Sequence, residues 1–113
     1  MMALKTRRCV ACRGDEPTVT EDEVQEFLPQ LSDWQITEVN GIKRLERRFR
    51  FKNFQESLSF TNQVGEIAEQ EDHHPLIQTE WGWVTVVWWT HKIKGLHRND
   101  FIMAAKTDEL YSG

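Results

Sequence analysis

Cysteine is scarce in this 113-residue chain, which has two, Cys9 and Cys12, in a single C-x-x-C near the N-terminus. A structural zinc site needs four ligands, all cysteine or two cysteines with two suitably spaced histidines, and no second pair follows at regular spacing. A thioredoxin-like redox pair would follow a strand and open a helix, whereas this one lies in a polar leader. Reduced thiols in a flexible segment are the plain reading, with a zinc shared between chains as the alternative. Any apolar run long enough to cross a membrane is missing. The opening MMALKTRRCVAC carries positive charge but no apolar stretch behind it, so the expectation is a cytoplasmic protein without a secretory signal. An excess of basic charge is missing as well: the formal net charge is −4, which argues against a binder of nucleic-acid phosphates. The one basic run, Lys43 to Arg50, is interleaved with Leu45, Glu46 and Phe49 and reads as the solvated face of a strand.

What is present is one domain's worth of chain, with no repeat or low-complexity tract. Residues 1–18 read as a flexible leader closed by the turn formers Gly14, Asp15, Glu16 and Pro17, and residues 19–113 as a single folded unit. Thr20 with Glu23 is a capping-box pattern, and Val24, Phe27, Leu28 and Leu31 repeat at helical spacing, predicting a helix from Glu21 to Gln30 that Pro29 shortens. From Trp34 the period changes to two, and Asn40-Gly41 predicts a hairpin whose return strand reaches Phe51. Asn53 with Glu56 opens a second helix. Its apolar arc comprises Phe54, Leu58, Thr61, Val64, Gly65 and Ala68, with Phe60 and Ile67 at the edge. Pro75 ends that helix near His73, where Glu69 and His73 would be neighbours one turn apart.

A strand over Leu76 to Glu80, a turn at Trp81-Gly82 and a strand over Trp83 to His91 follow. The second strand sends Val84, Val86 and Trp88 to one face and Thr85, Val87, Trp89 and His91 to the other, so it is central and covered on both sides, or meets another subunit. A last helix runs from Arg98 to Leu110, burying Phe101, Ile102, Ala105 and Leu110, with Asp100 in its first turn or turned to orient His91. The expected class is α+β in the order α-β-β-α-β-β-α, a four-stranded antiparallel sheet with helices packed on it. A homo-oligomer, dimer or tetramer, follows from the doubly apolar strand.

Chemistry concentrates between Glu69 and Asp100, which holds all four histidines and four of the five tryptophans. His73, His74 and His91 fall at the end of a helix or of a strand, where a pocket can form, and imidazoles suit acid–base work near neutral pH. Zinc held by three imidazoles is the rival, disfavoured because the adjacent His73 and His74 must diverge once the helix stops. No serine stands near the cluster to act as a nucleophile.

The pattern Glu69-x3-His73-His74-Pro75-x5-Trp81-x9-His91-x8-Asp100, with Thr90 before His91 and Gly95-Leu96 after it, resembles the pterin-4a-carbinolamine dehydratase family over Glu21 to Leu110. The Cys9-x-x-Cys12 leader and its following proline look like the N-terminus of some bacterial members. The resemblance implies a hydro-lyase, a 4a-hydroxytetrahydrobiopterin dehydratase, that removes water from 4a-hydroxytetrahydropterin to give quinonoid dihydropterin. It would serve tetrahydropterin recycling beside an aromatic amino acid hydroxylase. It further implies His73 and His91 as the acid–base pair, His74 and Trp81 as substrate-binding residues, and Glu69, Asp100 and Pro75 in support. The pterin is the substrate, and no cofactor, metal, nucleic acid or membrane is implied. His97 stands where members often carry a threonine helix cap, so a less well capped last helix is expected. The family also includes dimerisation cofactors of a transcription factor, and related folds act as assembly chaperones. A non-enzymatic protein-binding module is therefore the alternative.

Overall fold

Asn40 and Gly41 set the first fixed point of the fold. Their φ angles of 53° and 78° are both left-handed, the requirement of a type I′ turn, and they join β1 (Gln35–Val39) to β2 (Ile42–Arg50). In the computed structural model, which describes residues 4–6 and 17–111, two further strands, β3 (Leu76–Glu80) and β4 (Trp83–Trp88), complete one antiparallel sheet in the order β1-β2-β4-β3. Three helices, α1 (Glu21–Phe27), α2 (Phe54–Glu71) and α3 (Arg98–Leu110), give the expected α-β-β-α-β-β-α order. Cys9 and Cys12 lie outside the described residues.

Local rules explain most boundaries. Thr20 Oγ1 accepts from the Glu23 N–H at 3.2 Å, and the Glu23 carboxylate accepts from the Thr20 N–H at 3.0 Å, a complete capping box. Pro29 stops α1 at Phe27, and Leu28–Gln30 tighten into a 3₁₀ turn. At α2 the box is not closed as expected: Asn53 Oδ1 accepts from Glu56 N–H at 2.9 Å, but the Glu56 carboxylate accepts from Lys52 N–H at 3.2 Å, one residue further out.

The buried stripe of α2 is Ser57, Phe60, Val64 and Ala68, so the expected arc is rotated. Phe54 and Leu58 are left 46% and 39% exposed. An aromatic cluster decides this, because Phe60 packs against Phe49 at 4.8 Å and Phe51 at 5.0 Å, with Tyr111 at 6.0 Å. Ser57 is tolerated in the stripe because its hydroxyl donates to the Asn53 carbonyl at 3.2 Å.

Leu45, Phe49, Val84, Val86 and Trp88 line the inner face of the sheet, none more than 1% exposed. On the outer face Thr85 and Val87 are also buried, and the register supplies the reason. Thr85 lies between Arg48 and Gln78, and Val87 between Glu46 and Leu76, so long side chains of the same chain cover both small ones. Trp34 and Arg47 converge on Asp108, whose carboxylate accepts from the indole at 2.8 Å and the guanidinium at 2.7 Å. Burial holds the Asp108 carboxyl above its ordinary value, although both donors pull the other way.

The N-terminal half of α3 is buried more completely than its sequence suggests, with Met103 and Ala104 enclosed beside Phe101 and Ile102. Part of the cover comes from the expected leader: the turn Leu4–Thr6 lies against α3, and Leu4 is 1% exposed within the core.

Candidate active site

Asp72 redirects the chain at the end of α2. It takes the left-handed conformation (φ 51°), and the helix closes with bonds from Asp72 N–H to the Glu69 carbonyl and from His73 N–H to the Ala68 carbonyl, a Schellman arrangement. His73 is thereby removed from helical register with Glu69, and the expected pairing is exchanged. Glu69 meets His74, with 3.0 Å between its carboxylate and Nε2, on an open surface. His73 instead turns inward, and its Nε2 lies 2.6 Å from Asp100 Oδ1.

Asp100 is fully buried and collects three donors. Its Oδ1 meets His73, and its Oδ2 accepts from Thr90 Oγ1 and from His97 N–H, both at 2.8 Å. Thr90 and His97 both donate to Oδ2, and as a carboxylate Asp100 also accepts at Oδ1, which assigns the donating proton to His73 Nε2. The lone pair of the imidazole is then on Nδ1. The ring also stacks on Trp88 at 5.8 Å with 7° between planes, so two contacts fix its orientation. Asp100 thus serves His73, not His91.

His97 caps α3 after all, since its Nδ1 accepts from Asn99 N–H at 3.0 Å while Asp100 satisfies its own N–H. The buried imidazole does what a threonine hydroxyl would do, and the start of the helix is well capped.

His91 opens a 3₁₀ turn (His91–Ile93) beyond β4, closed at its base by the Thr90–Gly95 bridge. Strand alternation sends Trp88 and Thr90 inward to the His73–Asp100 pair and Trp89 to the other face. The His91 ring stacks on Trp89 at 4.4 Å and 16°, and the Arg44 guanidinium lies 4.0 Å from the centre of the same indole. His73 and His91 therefore flank the end of β4 from its two sides, and His74 stands beside His73 before β3.

Trp81 is not brought to this cluster. It lies in the β3–β4 turn, 70% exposed, and the five residues of β3 separate it from the histidine end by about 17 Å at ~3.4 Å per residue. There it borders a cleft of about 760 Å³ with Phe51, Phe60 and Tyr111. Pro75 starts the segment into β3 and breaks helical geometry behind His74. Among the described residues no group of three or more His, Cys, Asp or Glu is arranged to hold a metal, and no helix is long and apolar enough to cross a membrane.

Sequence reasoning gave Thr90, Trp88, Trp89 and Arg44 no role in the site. The alternation along β4 was the available signal, because it groups Trp88 with Thr90 and Trp89 with His91.

Residues 17–110 match the family model for pterin 4 alpha carbinolamine dehydratase. Curated relatives provisionally named pterin-4-alpha-carbinolamine dehydratase include one from Nitrosococcus oceani, 58% identical over 97% of each chain, and one from Saccharophagus degradans, 55% identical over the whole of both. The crystal structure of a transcriptional coactivator/pterin dehydratase from Brucella melitensis superposes with a TM-score of 0.74 at 34% identity, covering 83% of this chain and 98% of that one. A pterin dehydratase-like protein identified as a RuBisCO assembly factor in the alpha-carboxysome has the same fold, with a TM-score of 0.60 at 18% identity over 72% of this chain and 92% of that one. With the family model spanning nearly all of the folded unit and curated relatives above half identity end to end, the chain belongs to the pterin-4-alpha-carbinolamine dehydratase family.

Proposed function

We propose that this protein removes water from 4a-hydroxytetrahydropterin to give quinonoid dihydropterin, by acid–base catalysis between His73 and His91. The observation that carries the reading is the oriented His73: its Nε2 is tied to a buried carboxylate that has two other donors, which leaves Nδ1 to exchange a proton with a substrate. The pterin lies across the end of β4. One imidazole gives a proton to the 4a-hydroxyl, which leaves as water, while the C4a–ring nitrogen bond becomes double and the nitrogen's proton passes to the other imidazole. The proton count closes without a redox partner, so the reaction calls on no cofactor. His74, oriented by Glu69 on the open side, binds the substrate, and the reaction belongs to tetrahydropterin recycling in the cytoplasm beside an aromatic amino acid hydroxylase.

A second reading, a protein-binding module, draws on the coactivator name of the Brucella relative and on Phe54 and Leu58, which leave one flank of α2 apolar and open. One experiment separates the two. Freshly generated 4a-hydroxytetrahydropterin is followed by ultraviolet absorbance with wild-type protein and with a His73→Ala/His91→Ala double variant. Acceleration that the variant loses supports the dehydratase; no acceleration by folded wild type sinks it and favours the binding module.

A further inference from the structure

The three histidines at the site are held in different ways. His73 is fixed by Asp100 and His74 by Glu69, each through a ring nitrogen. His91, among the described residues, makes no side-chain hydrogen bond; its imidazole is exposed and its one ring contact is the stack on Trp89. Its backbone is anchored, since Thr90 and Gly95 exchange bonds of 2.9 and 3.4 Å at the base of the turn and Lys94 N–H bonds back to the His91 carbonyl at 3.3 Å. The torsions of the side chain are free of any such tie.

From this contrast we propose that Trp89, clamped by Arg44, is the positioning residue of His91. The proposal rests on the reading of His91 as an acid–base group. An imidazole that must exchange protons through its nitrogens cannot also have both tied up in structural bonds. A hydrogen-bonded carboxylate holds His73 at the cost of one nitrogen, whereas a stacked indole holds the plane of His91 and leaves both nitrogens to the substrate. Trp89 needs support of its own to do this, because it is only partly buried at a strand end. Arg44 supplies it: the residue lies next to Leu45, the partner of Trp88, so its side chain rises on the same face as Trp89, where the guanidinium sits 4.0 Å from the ring centre. Arg44 makes no ion pair among the described residues, and its Nε is buried without a hydrogen-bond partner, so the indole is its principal contact.

The test uses the full chain and two readouts. In carbon–proton spectra the imidazole signals of His91, assigned by their disappearance in His91→Gln, are shifted upfield by the indole ring current; Trp89→Leu returns them toward the values of a free histidine and Trp89→Phe keeps most of the shift. In the dehydration assay Trp89→Leu lowers kcat on the order of tenfold with KM within about twofold, Trp89→Phe recovers most of the rate, and Arg44→Ala falls between. Equal unfolding midpoints identify the variants that are fairly compared, and Arg44→Ala carries the test if Trp89→Leu does not fold. An active wild type with unaltered His91 signals or unaltered kcat in the folded variants overturns the positioning role alone. A wild type that does not accelerate water loss overturns the dehydratase reading and the positioning role together.

Discussion

Replacing Asp100 by asparagine separates the structural part of this carboxylate from its chemical part. Oδ2 accepts from the Thr90 hydroxyl and from the His97 backbone N–H, at 2.8 Å each, and a backbone N–H can only donate. The introduced amide must therefore put its oxygen at that position, which turns its NH2 toward His73 Nε2. Both are donors while Nε2 carries a proton, so the imidazole is driven to the other tautomer, with hydrogen on Nδ1. Three charge-assisted bonds become neutral, a loss of about 3 kcal/mol in all at ~1 kcal/mol per bond, or roughly 10–15 °C in Tm for a domain of this size. Alanine at the same place would orphan two buried donors at ~1–3 kcal/mol each, a large part of a typical stability of ~5–15 kcal/mol, and would confuse unfolding with loss of chemistry. Asp100→Asn should thus stay folded at 25 °C, lower kcat by about 10²- to 10⁴-fold with little change in KM, and show nitrogen-15 shifts of His73 with the proton moved to Nδ1. A folded variant that retains the wild-type tautomer, or kcat within about threefold of wild type, would refute the reasoning.

His74→Ala should raise KM severalfold while kcat stays within about twofold, whereas His73→Ala should lower kcat by about 10²- to 10⁴-fold; steady-state kinetics on the two variants checks the division. Leu4→Ala should lower stability by about 2–5 kcal/mol in urea unfolding, because a core side chain is lost, and a change near zero would show that the first residues do not dock. Asp108 has its carboxyl held above the ordinary value by burial, so it takes up a proton in the folded state before the unfolded one does. Its stabilising contribution is full below the ordinary carboxylate value and is lost as pH rises through the raised one. Wild type should accordingly gain stability over Asp108→Asn as pH falls from about 7 toward 4, and urea midpoints that diverge in the opposite sense would contradict it.

Where the chain carries its own instructions locally, the sequence by itself determined the outcome. The Asn40-Gly41 turn, the Thr20–Glu23 box, the break at Pro29 and the alternation along β4 act through neighbours a few residues away, and they brought the order of elements and the α+β class with them. The seven-position pattern from Glu69 to Asp100 likewise made the family legible, because identity and spacing alone define it. Pairing across the site was decided only by tertiary structure. Periodicity put Glu69 beside His73, but the left-handed Asp72 turned His73 away, and the fully buried Asp100, brought in by α3, became its partner. The stripe on α2 rotated toward Phe60 because aromatic rings from β2 and the end of α3 were waiting there, and Leu4 entered the core because α3 had a face left open. Long-range contacts of this kind bury area and satisfy donors that no window of sequence can see, and they choose among arrangements that local preference leaves nearly equal in energy.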